Sequence, residues 1–173
     1  MEIEAENYTV AVMGAGTMGR GIAQVAASAG HPVMLYDIAE KHTQAAIEFI
    51  GQRLEISFRK GKITENSKEQ VLKNIKPVHS LEELFQSKLI IEAVVEDLKI
   101  KQELFCMLES ILDSGTILST NTSSLDLNKI GTNLKCPERF VGMHFFNPVP
   151  LMSLVEIIHT TETERSVTEF VSR

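Results

Sequence analysis

The stretch that most constrains this chain is residues 8–21, YTVAVMGAGTMGRG. Residues 9–13 are strand-forming, glycines succeed them at Gly14, Gly16 and Gly19, and an apolar helical run, IAQVAASAG, comes next. A G-x-G-x-x-G pattern between a strand and a helix reads as a pyrophosphate-binding turn. The first glycine permits the tight turn, the second lets the backbone approach the pyrophosphate, and the third lets the helix lie close to the strand. Unpaired N–H groups and the partial positive charge of the helix start face the anion. Thr17 and Met18, inside the turn, join the three glycines as candidate nucleotide contacts. Glycine turns are common, so the motif draws its meaning from the residues beyond it.

The helix expected over residues 17–29 stops at Gly30, a C-cap glycine, and Pro32 prevents it from resuming. A second strand, residues 33–36, delivers Asp37, which lies 18 residues beyond Gly19 and 23 beyond Gly14. A carboxylate there accepts hydrogen bonds from the adenosine ribose hydroxyls and repels a 2′-phosphate. No arginine or lysine occurs between Asp37 and Lys41, so NAD is expected rather than NADP. The competing account of Asp37 is a surface carboxylate at a strand end. Residues 40–60 read as a long helix with Ala46, Ile50, Leu54 and Phe58 as its apolar stripe. Its far end sets Arg53, Arg59, Lys60 and Lys62 against Glu55, a cationic patch suited to a phosphorylated ligand. Cations complementing a helix dipole account for the same residues equally well.

A short helix at 65–73, a short strand at 75–78 and another short helix at 81–85 come next. Residues 88–95, KLIIEAVV, are nearly continuously apolar, as in a strand covered on both faces, with Glu92 unusual among them. Glu96 and Asp97 stand at its carboxyl end, where open α/β sheets place their ligands. The helix expected over 98–112 carries Ile100, Leu104, Met107, Leu108 and Ile111 on one face, with Lys101 off that face. A strand at 116–120 delivers Asn121-Thr122-Ser123-Ser124 to the same crevice, although Ser124 or Asp126 also suits a helix cap. Strands at 139–146 and 154–158 flank the turn Asn147-Pro148-Val149-Pro150, in which Asn147 is a candidate substrate contact. The alternation predicts an α/β fold, a doubly wound and mostly parallel sheet, over residues 1–160. Residues 161–173 read as the start of a helical segment.

The last two strands suggest chemistry. In a hairpin centred near Pro150, residues whose numbers sum to 300 face each other, and His144 and Glu156 do. A cross-strand carboxylate holds an imidazole in one tautomer and stabilises its cation. Such a histidine is a candidate general base that takes a hydroxyl proton while hydride leaves to a nicotinamide. Ser123, at a neighbouring strand end, is placed to hydrogen-bond the same oxygen. A satisfied core histidine is the bland alternative for His144. His31, His42, His79 and His159 have no comparable setting in the sequence.

Composition narrows the class by exclusion. A hydrophobic content of 43% with 23% charged residues is ordinary for a globular chain. The net charge of −6 argues against general nucleic-acid binding. There is no run of about 18 apolar residues to span a membrane. The acidic start, MEIEAEN, reads as neither a signal nor a transit peptide. Cys106 and Cys136 lack metal-ligand spacing, and no metal is expected. Cys106 reads as a small buried residue, and a cytoplasmic, reducing compartment fits.

Four segments, MGAGTMGRGIAQ, EAVVEDLKIKQELF, STNTSSL and HFFNPVPLMSLVE, resemble motifs of the L-3-hydroxyacyl-CoA dehydrogenase family, 3-hydroxybutyryl-CoA dehydrogenases included. The resemblance implies a Rossmann-type NAD-binding domain. It implies His144 as catalytic base, Glu156 as its partner, and Ser123 as a substrate contact. Glu96 and Lys101 are implied to line the cofactor site, where Asn121 at its strand end is a further candidate, and Lys60 is implied to point toward coenzyme A. Where a relative uses serine for coenzyme A, this chain has Arg53. The family continues into a helical C-terminal domain that supplies dimer contacts, so a homodimer through that domain is expected of a full-length protein. The 173-residue chain alone is expected to bind NAD with little turnover. Two other functions stay open at this point: a nucleotide-binding module without catalysis, and a dehydrogenase of free hydroxy acids.

Overall fold

The computed structural model describes residues 7–172, so the reading of MEIEAEN lies outside the described residues in all but Asn7. Seven strands form one sheet in the order β3-β2-β1-β4-β5-β6-β7. They are β1 Val10–Met13, β2 Val33–Tyr36, β3 Ile75–Val78, β4 Leu89–Glu92, β5 Ile117–Thr120, β6 Phe140–Phe145 and β7 Val155–His159. All neighbours run parallel except β6 and β7. The helices are α1 Thr17–Ser28, α2 Glu40–Arg59, α3 Glu65–Asn74, α4 Leu98–Ile111, α5 Leu127–Gly131 and α6 Arg165–Val171.

The central strands β1, β4 and β5 are buried along their whole length because both of their faces are covered. Val10 and Val12 of β1 join one core with Ile22, Leu35 and Ile50, on the side of α1 and α2. Ala11 and Met13 point the other way, into a second core with Ile90, Phe105 and Leu108 on the side of α4. Gly30, at φ +97°, closes α1 as a glycine C-cap should. On α2 the buried stripe is Ala46, Ile50 and Leu54, with Phe58 only half-buried.

Three expectations are corrected. The strand expected over 88–95 pairs only over Leu89–Glu92, because Glu92 turns its carboxylate back onto the Val94 N–H and draws the chain out of the ladder. The face assigned to α4 is right only in part, since Leu104, Leu108 and Ile111 pack on the core as expected. Lys101, Phe105 and Leu108 are buried, whereas Ile100 and Met107 are 45% and 51% exposed. Lys101 is drawn inward by a carboxylate partner, and the helix rotates accordingly. Cys106, on the flank of that face, is half-buried rather than buried, with its Sγ 3.7 Å from the Asn133 carbonyl. Both cysteines are free. Among the described residues no helix is long and apolar enough to cross a membrane.

Candidate active site

The order of β1 and β4 fixes where a ligand goes. From β1 the chain winds outward to β2 and β3, then returns to place β4 on the other side of β1. The loops after β1 and β4 therefore diverge and leave a crevice at the carboxyl ends of the strands. That crevice, about 340 Å³, is lined by Met18, Ala93, Val94, Glu96, Asn121, Ser123, His144, Phe145, Phe146 and Asn147. A second cavity of about 330 Å³, lined in part by Leu127, Phe140 and Thr160, offers one ionisable side chain, Glu162. No second ionisable side chain lines it to work with Glu162.

The glycine turn forms the floor. A Cβ on Gly19 would lie 1.7 Å from the Gly14 carbonyl oxygen, so α1 can seat on β1 only with glycine there. Gly14 has φ +96°, and a Cβ on it would meet the Ala93 carbonyl oxygen at 2.7 Å. A Cβ on Gly16 would meet nothing within 4 Å, so that glycine's place is explained by space for a ligand and not by packing. No side chain caps α1, and its first turn carries no acid. Its leading N–H groups therefore suit a bound anion. Thr17 begins the helix and is exposed, while Met18 faces the crevice.

Asp37 stands just past β2 and ties the turn to it. Its Oδ2 accepts from the Ala15 N–H at 2.8 Å, and its Oδ1 accepts from the Ala39 N–H at 3.0 Å. His42, which the sequence left without a setting, brings Nδ1 within 2.9 Å of Oδ1. Burial works against the charge on Asp37, but the Ala15, Ala39 and His42 contacts outweigh it and hold the carboxyl below its ordinary value.

A buried relay underlies the middle of the crevice. Glu92, fully buried, accepts from Lys101 Nζ at 2.6 Å, from Thr120 Oγ1 at 2.6 Å and from the Val94 N–H at 2.8 Å. Lys101 Nζ also lies 3.3 Å from Glu96 Oε2. Glu96 Oε1 accepts from the Thr122 hydroxyl, and from the Ser123 N–H at 3.1 Å. Burial disfavours the charged form of Glu96, but Thr122, Lys101 and Ser123 prevail and hold its carboxyl below the usual range. Lys101 therefore acts from beneath and does not line the crevice. Glu92 and Thr120 were not foreseen as site residues, whereas Thr122 was expected at the crevice without a partner named. The available signal was a glutamate in the middle of an apolar strand.

Asn121 extends from β5 and accepts the Phe145 N–H on its Oδ1 at 2.8 Å, joining the ends of β5 and β6. Asp126, not Ser124, caps the short helix α5, by accepting the Asn128 N–H. His144 of β6 pairs in register with Glu156 of β7, and His144 Nδ1 lies 2.8 Å from Glu156 Oε2. The His144 ring also packs on Phe146, with centroids 4.5 Å apart. His144 is 20% exposed and Glu156 52%. Lys60 is exposed just past the end of α2 and does not line the crevice. In the nearby basic patch, Glu55 pairs with Arg59 and with Lys68 of α3. No cluster of three metal-ligating side chains occurs among the described residues.

The sheet order, the uncapped helix behind the glycine turn and the carboxylate after β2 define a dinucleotide-binding domain. The chain belongs to the 3-hydroxyacyl-CoA dehydrogenase family, whose NAD-binding domain matches residues 9–173. It is 45% identical over 161 residues to 3-hydroxyadipyl-CoA dehydrogenase of Escherichia coli K12, covering 93% of this chain and 34% of that one. It is 42% identical to 3-hydroxybutyryl-CoA dehydrogenase of Clostridioides difficile, covering 86% of this chain and 53% of that one. The crystal structure of (S)-3-hydroxybutyryl-CoA dehydrogenase from Ralstonia eutropha superimposes with a TM-score of 0.93 at 35% identity, over 96% of this chain and 59% of that one. The chain thus spans between a third and three fifths of the length of these relatives.

Proposed function

We propose that this chain is the nucleotide-binding part of an enzyme that oxidises (S)-3-hydroxyacyl-CoA to 3-oxoacyl-CoA with NAD. The observation that carries the proposal is the His144–Glu156 pair, 2.8 Å apart and opening onto the crevice beside the glycine turn. NAD, when bound, supplies the hydride acceptor. The residues that would hold it are the Gly14–Gly19 turn with Thr17 and Met18, then Asp37, Glu96 with Lys101 beneath it, and Asn121. His144 takes the hydroxyl proton on Nε2 while Nδ1–H stays with Glu156, which steadies the resulting cation. Ser123 hydrogen-bonds the oxygen as it becomes a carbonyl, and Asn147 lies at the rim where the acyl chain enters. Lys60 belongs to the coenzyme A end in this reading, outside the crevice itself. With Glu156 half exposed, water reaches the pair, so the chain by itself is expected to bind NAD but to turn over little.

The test uses the longer enzyme and NADH absorbance with (S)-3-hydroxybutyryl-CoA. His144→Gln should lower kcat by about 10²–10⁴-fold, with the melting temperature and NAD affinity unchanged. A kcat within threefold of the parent would remove His144 from the mechanism. Faster turnover of free hydroxy acids than of the thioester would favour that substrate class instead. Robust reduction of acetoacetyl-CoA by the 173-residue chain would defeat the claim that it cannot act alone.

A further inference from the structure

The carboxylate expected to reject a 2′-phosphate does not stand alone. Asp37 Oδ1 is shared between the Ala39 N–H and His42 Nδ1, and the His42 side chain is 54% exposed. We propose that His42 is a specificity-determining residue, whose protonation narrows the preference of the site for NAD over NADP. This rests on Asp37 being the ribose-binding carboxylate. Two effects of the imidazolium act in the same direction. It holds Oδ1 more tightly with a charge-assisted bond, so a ribose hydroxyl competes less well for that oxygen. It also offsets the negative charge that repels a 2′-phosphate.

Other ionisable groups stand near this pair. From its own helix, Glu40 and Lys41 adjoin His42. Glu40 Oε1 is 3.5 Å from Nδ1 of His79, just past β3, and the His79 N–H is held by Glu83. His79 is therefore a second imidazole paired to a carboxylate in the same region. Asp37 is held below the usual carboxyl range, so it stays ionised across the window in which imidazoles in general take up a proton.

The experiment measures dissociation constants of NAD and NADP for the 173-residue chain by calorimetry at pH 8 and pH 5.5, with His42→Gln, His42→Asn and His79→Gln beside the parent. The 2′-phosphate of NADP gains a proton of its own near pH 6, but it does so equally with every variant. The ratio of the NADP to the NAD constant should fall on acidification roughly fivefold further in the parent than in either His42 variant, the scale of one unit charge acting across a few ångströms of water. His79→Gln should behave like the parent. Parallel ratios in the parent and both His42 variants overturn the proposal, and so does loss of the extra fall in His79→Gln. Failure of the parent to bind NAD at all would overturn the nucleotide-site reading itself, a result distinct from the other two.

Discussion

Two regions of the crevice use the same device for opposite ends. On the floor, Lys101 and Glu92 meet at 2.6 Å with both side chains sealed from solvent. At the wall, His144 and Glu156 meet at 2.8 Å, with Glu156 half in water. The floor pair ties α4 to β4 and, through Glu96, fixes the loop that carries Ser123. It is architecture, because a buried charge without its partner is strongly destabilising. Glu156 of the wall pair sits on the antiparallel edge strand β7, which packs little on either face, so losing its charge leaves no buried charge behind. Burial, more than distance, decides which of the two is structural.

The comparison can be broken first at the floor. Gly19→Ala forces a Cβ to within 1.7 Å of a backbone oxygen. It should cost at least the upper part of the 1–3 kcal/mol overpacking range, about 3 kcal/mol, in urea denaturation. A stable Gly19→Ala protein with parental NAD affinity would show that α1 can slide on β1. Glu92→Gln keeps the shape and leaves the Lys101 ammonium, still sealed from solvent, only its longer contact with Glu96 at 3.3 Å. A loss of about 3–5 kcal/mol is expected, and one below about 1 kcal/mol would put this pair in the same category as the wall. The smallest effect belongs to Glu156→Gln, which should change stability by about 0–1 kcal/mol, as exposed pairs do, while kcat of the longer enzyme falls at least tenfold. Equal stability losses in Glu92→Gln and Glu156→Gln would erase the distinction.

Much of this was legible because backbone rules are local. The glycine turn, Asp37 and most strand ends, that of β4 excepted, can be placed from spacing alone. The pairing of His144 with Glu156 comes from a turn centred on Pro150, since turn geometry sets hairpin register. The floor was not legible. Glu92 stood out as misplaced, but nothing in the sequence joins it to a lysine nine residues on, across a strand, a loop and a helix. The same pair explains the partly misread face of α4. Ile100 and Met107 supply an apolar stripe, yet the ion pair turns Lys101 and Phe105 inward instead. His42 escaped for a related reason, because its partner lies just before the helix that carries it, where helical periodicity says nothing.

The bond between Asn121 Oδ1 and the Phe145 N–H has a consequence for recognition. An amide side chain usually offers a ligand either hydrogen-bonding polarity by rotating half a turn. Here the oxygen is committed to the end of β6, so Asn121 has only its N–H groups left for the crevice, while Glu96 beside it is an acceptor. The site is thus written with a fixed sense, a donor at one point and an acceptor at the next. A carbonyl oxygen fits the Asn121 point and a hydrogen-bond donor fits the Glu96 point, whichever ligand brings them.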